Sequence, residues 1–270
     1  MTGTGTMTLF RRGQGAALFP PLTGLAPLAL VLVVWQLLGD PDSANFPPPS
    51  SWFEAAEAVQ RRGLLVPSLE RTLLVFAAAL AIAAVLGAAA GTVLGASPLA
   101  RRVFGPLTEF LRTFPPPAAV PVAVLLLGTT TTMSLIVIVA TAMWPIVLNA
   151  QEAVRTIPRV RIDAGRALGL SRGHRLVSVI APGVLPAVMV GVRVATPICL
   201  IVVLLAEMLA GTGGVGHLIL ERQRLYDSAG VFACLAIVGV LGLLTSAVMG
   251  VLERVLLRNR PPVPHGRKTS

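Results

Sequence analysis

Charge is scarce in this sequence. Asp, Glu, Lys and Arg make up only 13% of its 270 residues, against about 25% in a soluble domain, so water is not the main solvent of this chain. Aromatic residues are few as well, at 5%. Lysine occurs once against 21 arginines, a ratio that speaks of codon usage more than of mechanism. The two cysteines, Cys199 and Cys234, each sit inside an apolar run, which supports neither a disulfide nor a thiolate metal motif and reads as two small buried hydrophobes. Motifs of catalysis are missing too. There is no HExxH, no GxSxG and no pair of intramembrane aspartates, and His174, His217 and His265 fall in three separate segments. No enzyme activity, metal set or cofactor is expected. The absence of GxxxxGK[ST] excludes ATP binding through a P-loop. One motif is present in letters only: Gly211-Thr212-Gly213-Gly214-Val215-Gly216 spells GxGxxG. A dinucleotide site needs a strand before it, whereas an apolar run of helical length precedes these glycines, so they read as a turn.

What the chain has is apolar bulk: 54% hydrophobic residues, mostly Ala, Val and Leu, with 26 glycines and a mean hydropathy of +0.80. The net charge of +10 is not spread as a nucleic-acid surface. It falls in short basic clusters between apolar runs, the pattern of membrane topology, and no nucleic acid is expected as a partner. Spanning a bilayer takes about 20 apolar residues as helix. The sequence predicts an all-α polytopic membrane protein with about six spans, near 18–39, 68–96, 116–128, 132–150, 183–209 and 229–257. The first follows Arg11 and Arg12, is too long for a signal h-region and lacks a cleavage site, so it reads as a retained helix. The third is short and opens on Phe114-Pro115-Pro116-Pro117, which suggests an irregular or re-entrant start. Between the first two spans, a polar stretch from Asp40 to Pro67 contains an amphipathic segment, Trp52 to Arg62, expected at the surface. With the N-terminus inside, sixteen basic residues fall on the cytoplasmic side and five outside, so both termini are expected in the cytoplasm.

Within the spans, Gly87, Gly91 and Gly95 recur every four residues on one face, where a neighbouring helix backbone can come close. Packing inside the chain is the plainer reading of them and contact between subunits the other. Arg193 and Glu207 share the fifth span but lie fourteen residues apart, roughly 21 Å along a helix, so they do not pair. Arg193 reads either as an attractor of anions or as a side chain that snorkels to the cytoplasmic face or binds carbonyls. Glu207 reads as a gate residue or a cap at the outer interface. Thr129 to Thr132 and Thr196 add polarity compatible with a solute path.

The segment from Gln151 to Pro182 is far longer than a join between two helices requires. Val160, Ala164, Ala167 and Leu168 recur with helical spacing, Gly169 interrupts, Ser171 can cap a second short helix, and Pro182 is expected to end the segment. The residues by themselves allow two uses of this amphipathic knuckle: insertion into a partner's groove, or rest on anionic headgroups.

This segment resembles the EAA motif of bacterial ABC importer permeases, Glu-Ala-Ala, three residues, Gly, nine residues, Ile-x-Leu-Pro. Here Asp163-Ala164-Gly165, Gly169 and Val179-Ile180-Ala181-Pro182 occupy the motif with all spacings kept and Asp for Glu, Gly for the second Ala and Ala for Leu. Leu111-Arg112-Thr113-Phe114-Pro115-Pro116, and Ala206-Glu207-Met208-Leu209 followed by Gly214-Val215-Gly216, are similar to the nitrate/sulfonate/taurine branch of that family. The resemblance, over about residues 65–257, implies a MetI-like type I importer permease in a bacterial inner membrane. Such permeases pair, dock cytoplasmic ATPase subunits on the EAA loop and receive a small solute from an external binding protein. The implied organisation is an N-terminal segment, 1–64, a permease domain, 65–257, with its coupling loop at about 151–182, and a basic tail, 258–270. A transporter or channel working alone is the alternative, disfavoured by the lack of an internal repeat and of intramembrane acids for a proton relay.

Overall fold

The computed structural model describes residues 22–258 apart from 41, 42, 44 and 114, and is helical throughout. Arg11, Arg12, Phe114 and the basic residues beyond Arg258 lie outside the described residues. Helix α1 is Leu22–Leu38, followed by α2, Pro49–Arg61, and α3, Leu65–Ala96. Then come α4, Pro98–Thr113, α5, Pro116–Leu127, and α6, Thr131–Thr156. The knuckle holds α7, Arg159–Ala167, and α8, Arg172–Arg175. The chain ends with α9, Ala181–Ala210, α10, Val215–Arg224, and α11, Ser228–Leu257.

Among the described residues four helices have the length and apolarity of a span: α3, α6, α11 and the 38 residues Gly173–Ala210, which run from α8 through α9 without a break. The short third span is α5, 12 residues, which makes a bent pair with α4 at 98° and counts as a fifth span if the pair crosses together. Helix α1 is apolar but has 17 residues here. The six expected spans therefore correspond to four plain ones, one bent pair and one short helix. Helix ends follow local chemistry. Thr130 caps α6 by accepting from Met133 N at 3.1 Å, Asp227 caps α11 by accepting from Gly230 N at 2.9 Å, and Gly211 ends α9 in the left-handed conformation.

The core is a three-helix seam. Helices α3 and α6 lie parallel, since Gly87 faces Ile146, Gly91 faces Val147 and Ala150, and Gly95 faces Gln151 and Val154. Helix α9 runs antiparallel to α6, with Gly191 against Ile146 and Gly183 against Ile157. Ala79, Ala83, Ile138, Ala142, Ile146, Ala195 and Val203 are buried at this seam, with Val120 from α5. Alanine and glycine dominate because helices in lipid gain from close packing rather than from escape from water. The three glycines of α3 thus face α6 of the same chain.

Helix α2 docks one side on the bundle while most of its residues stay exposed. Val59 is buried with Leu218, Ile219 and Cys234, and Trp52 stacks on Phe232 at 5.6 Å. Trp35 of α1 sits on the same cluster, stacked on Phe46 at 4.8 Å and edge-on to Trp52 and Phe232. Glu57 and Arg61 pair on the outward side, where Phe53 also stands, 82% exposed.

Pro182 does not end the knuckle. It lies in the first turn of α9, and the helix continues back through a π-turn, Leu176–Ile180, into α8. Proline lacks an N–H and disturbs the regular ladder. The wider turn absorbs this, with Ala181 N donating to Leu176 O across five residues.

Candidate functional site: a knuckle, an open cavity and a buried clasp

At one end of the bundle, α7 and α8 form the knuckle. The chain reverses at Gly169, whose φ of +70° suits glycine, and Ser171 Oγ accepts from His174 N at 3.2 Å to start α8. Gly165 lies against the Arg175 and Leu170 side chains, 3.4 and 3.7 Å from a would-be Cβ, which closes the two helices on one another. Asp163 pairs with Arg166 at 3.0 Å, both exposed. Ala164 is exposed and Pro182 is half-buried at the start of α9. Val160 and Leu168 are each 78% exposed, on a segment too polar to enter lipid. A Cβ at Gly169 would meet nothing within 4 Å.

Between α4, α5, α6 and α9 lies a cavity of about 1140 Å³. Its wall is mostly Ala, Val, Leu and Ile, with Thr113, Thr141 and Asn149 as polar points and Arg112 as the charged residue. Arg112 is paired to Glu109, and both hydroxyls donate to helix carbonyls, Phe110 O and Val137 O. Asn149 donates one amide hydrogen to Pro145 O at 2.7 Å, leaving the second.

The three polar residues expected along a path are not in this wall. Thr196 is buried and donates to Val192 O at 2.8 Å. Arg193 pairs across to Glu253 of α11 at 3.2 Å, its side chain 63% exposed and that of Glu253 19%. Glu207 is 3% exposed. Its carboxylate accepts from Thr72 Oγ1 at 2.8 and 3.0 Å and from Gly216 N at 2.9 Å, and Thr72 Oγ1 accepts in turn from Val215 N at 2.9 Å. The GxGxxG letters are the loop that wraps this carboxylate, and a helix precedes them. Thr72, Glu253 and Asn149 were not singled out by the sequence. Thr72 and Glu253 become informative only once helices distant in sequence are adjacent, whereas Asn149 was visible as an amide within an apolar run.

A bundle of apolar helices with a polar knuckle at one end and a cavity in its wall defines a membrane permease. Its fold is that of the MetNI methionine ABC transporter in inward-facing form, with a TM-score of 0.63 and 18% identity over 73% of this chain and 98% of that one. Residues 83–258 match the family described as binding-protein-dependent transport system inner membrane component, and the chain belongs to it. It is 30% identical to the bicarbonate transport system permease protein CmpB of Synechococcus elongatus, over 87% of this chain and 90% of the relative. To the nitrate import permease protein NrtB of a Synechocystis strain it is 28% identical, over 85% and 87%. The chain is thus a multi-pass inner-membrane permease subunit of an ABC importer, not an enzyme. The family implies an ATPase and a solute-binding protein as its partners.

Proposed function

We propose that the imported solute is a small, singly charged oxyanion of the nitrate or bicarbonate kind. The observation that carries this is the likeness, over most of the chain, to permeases named for those two ions. Both are planar, with three oxygens on one central atom, whereas the sulfonates also suggested by the resemblance are tetrahedral at sulfur. The cavity suits transit rather than capture. Its one cation is already paired with a carboxylate and its hydroxyls are engaged, so an anion meets weak dipoles and no unpaired charge. A conducting path must not hold its cargo tightly. Selectivity then falls to the external binding protein.

In this reading the knuckle end is cytoplasmic. Asp163, Ala164, Gly165, Gly169 and Pro182 belong to the surface that seats in an ATPase groove, with Val160 and Leu168 as its apolar contacts. Two copies pair so that the cavities between α5, α6 and α9 face one another, and residues 65–257 act as the transport domain. The test is uptake into proteoliposomes holding the permease, its ATPase and its binding protein. Labelled nitrate or bicarbonate should accumulate with ATP, and excess taurine should not compete. Uptake of taurine in preference to both anions refutes the solute assignment.

A further inference from the structure

Among the described residues, Glu207 is the one carboxylate withdrawn from the surface. Burying a carboxylate costs several kcal/mol unless hydrogen bonds replace its water. Here they do, and they come from separate elements: Thr72 near the start of α3 and the N-terminal turn of α10. The loop is fitted to the acid. A Cβ on Gly214 would fall on the Glu207 carboxylate, and one on Gly216 would lie 2.9 Å from Glu207 Cβ. Arg71 packs on Gly213 and donates to Thr131 Oγ1 at 3.1 Å, which brings in the start of α6. Four elements are joined at this end through one clasp.

The same helix carries the other end of the machine. Gly173–Ala210 is continuous over 38 residues, about 57 Å at 1.5 Å per residue. Its first turn is knuckle and its last turn holds Glu207. A π-turn at Leu176–Ile180 and two prolines inside α9, Pro186 and Pro197, lie along it without breaking it, so what fixes its far end sets the frame in which the knuckle sits.

We infer that Thr72 and Glu207 are a positioning pair that couples arrival of the loaded binding protein at the clasp end to the ATPase at the knuckle end. This rests on the orientation and knuckle seating proposed above. The hydroxyl is the informative atom, because it both donates to Glu207 and accepts from Val215 N. Thr72→Val keeps the shape and removes both bonds; Thr72→Ser restores them. Glu207→Gln can remake the clasp, its carbonyl accepting from Gly216 N and its amide donating to Thr72 Oγ1.

The experiment uses the whole transporter in lipid nanodiscs and reads three quantities for each variant: retention of the ATPase, ATP hydrolysis without binding protein, and hydrolysis with saturating loaded binding protein. For Thr72→Val, retention and basal hydrolysis should match wild type while the stimulated rate falls about five-fold or more. Thr72→Ser and Glu207→Gln should stay within about two-fold of wild type, a small part of such a coupling. Full stimulation of Thr72→Val overturns the inference. So does a Glu207→Gln variant as impaired as Thr72→Val, which would make charge rather than positioning the cause. A Thr72→Val chain that fails to assemble assigns the clasp to folding and overturns it as well. If the wild-type chain retains no ATPase, the knuckle reading has failed instead.

Discussion

Replacing Gly91 by alanine tests the α3–α6 seam, because the outcome is a balance of two opposed effects. Alanine is the better helix former by about 1 kcal/mol, so on an open helix face the change stabilises. At Gly91 the new Cβ would lie 2.7 Å from Ala150 Cβ, 3.0 Å from Val147 Cα and against the Val147 carbonyl oxygen. Carbon atoms prefer about 3.5–4.0 Å, so the two backbones must part by roughly 1 Å. Rigid backbone offers no rotamer to give way, and overpacking of this kind costs up to about 3 kcal/mol. The net is a loss of about 2 kcal/mol, or roughly 4–8 °C in melting temperature for a chain of this size. The buried thiols of Cys199 and Cys234 supply the assay, since a maleimide dye in detergent reacts with them as the bundle opens. Gly105→Ala, where nothing lies within 4 Å of the added carbon, is the control and should melt at or above wild type. If Gly91→Ala melts no lower than Gly105→Ala, the close approach of α3 and α6 is not what those glycines serve.

Three further outcomes are expected. Gly169→Leu should insert normally yet lose the co-purifying ATPase, whereas Gly169→Asn, which tolerates the left-handed backbone, should retain more of it; a Leu variant that still holds the ATPase and transports sinks the knuckle assignment. In sealed right-side-out vesicles, an impermeant maleimide should label a cysteine at Ser43 or Arg224 and spare one at Ser171, and the reverse pattern inverts the topology. Arg193→Ala should destabilise the detergent-solubilised chain by about 1–3 kcal/mol through the unpaired Glu253, while Arg193→Met with Glu253→Leu recovers most of that loss. A double variant as unstable as the single one removes the pair from the account.

The long apolar runs were legible because length and composition alone decide that a helix spans lipid, and α3, α6, α9 and α11 lie within a few residues of their expected ranges. The Gly87-Gly91-Gly95 spacing announced a close approach, though not to which helix. Legibility failed where a residue's role depends on a partner far along the chain. Glu207 reads as an interfacial acid until Thr72, 135 positions earlier, comes against it. Arg193 reads as a lone charge until Glu253 arrives from α11. Pro182 misled for a different reason: it was expected to end the knuckle segment before the next span, and the π-turn beside it lets the helix run on through it.

The aromatic cluster at the end of α1 has a consequence for the whole helix. Along Ala26–Leu38 nearly every side chain is exposed, whereas Trp35 meets three rings and Gln36 exchanges two hydrogen bonds with Ser50. Within one copy of the chain most of this helix touches no other helix, and it hangs from the bundle like a banner from a single bracket. The match to the family begins only at residue 83. Helix α1 thus lies outside both the matched stretch and the α3–α6–α9 seam, and its firm attachment is the aromatic cluster with the Gln36–Ser50 bonds.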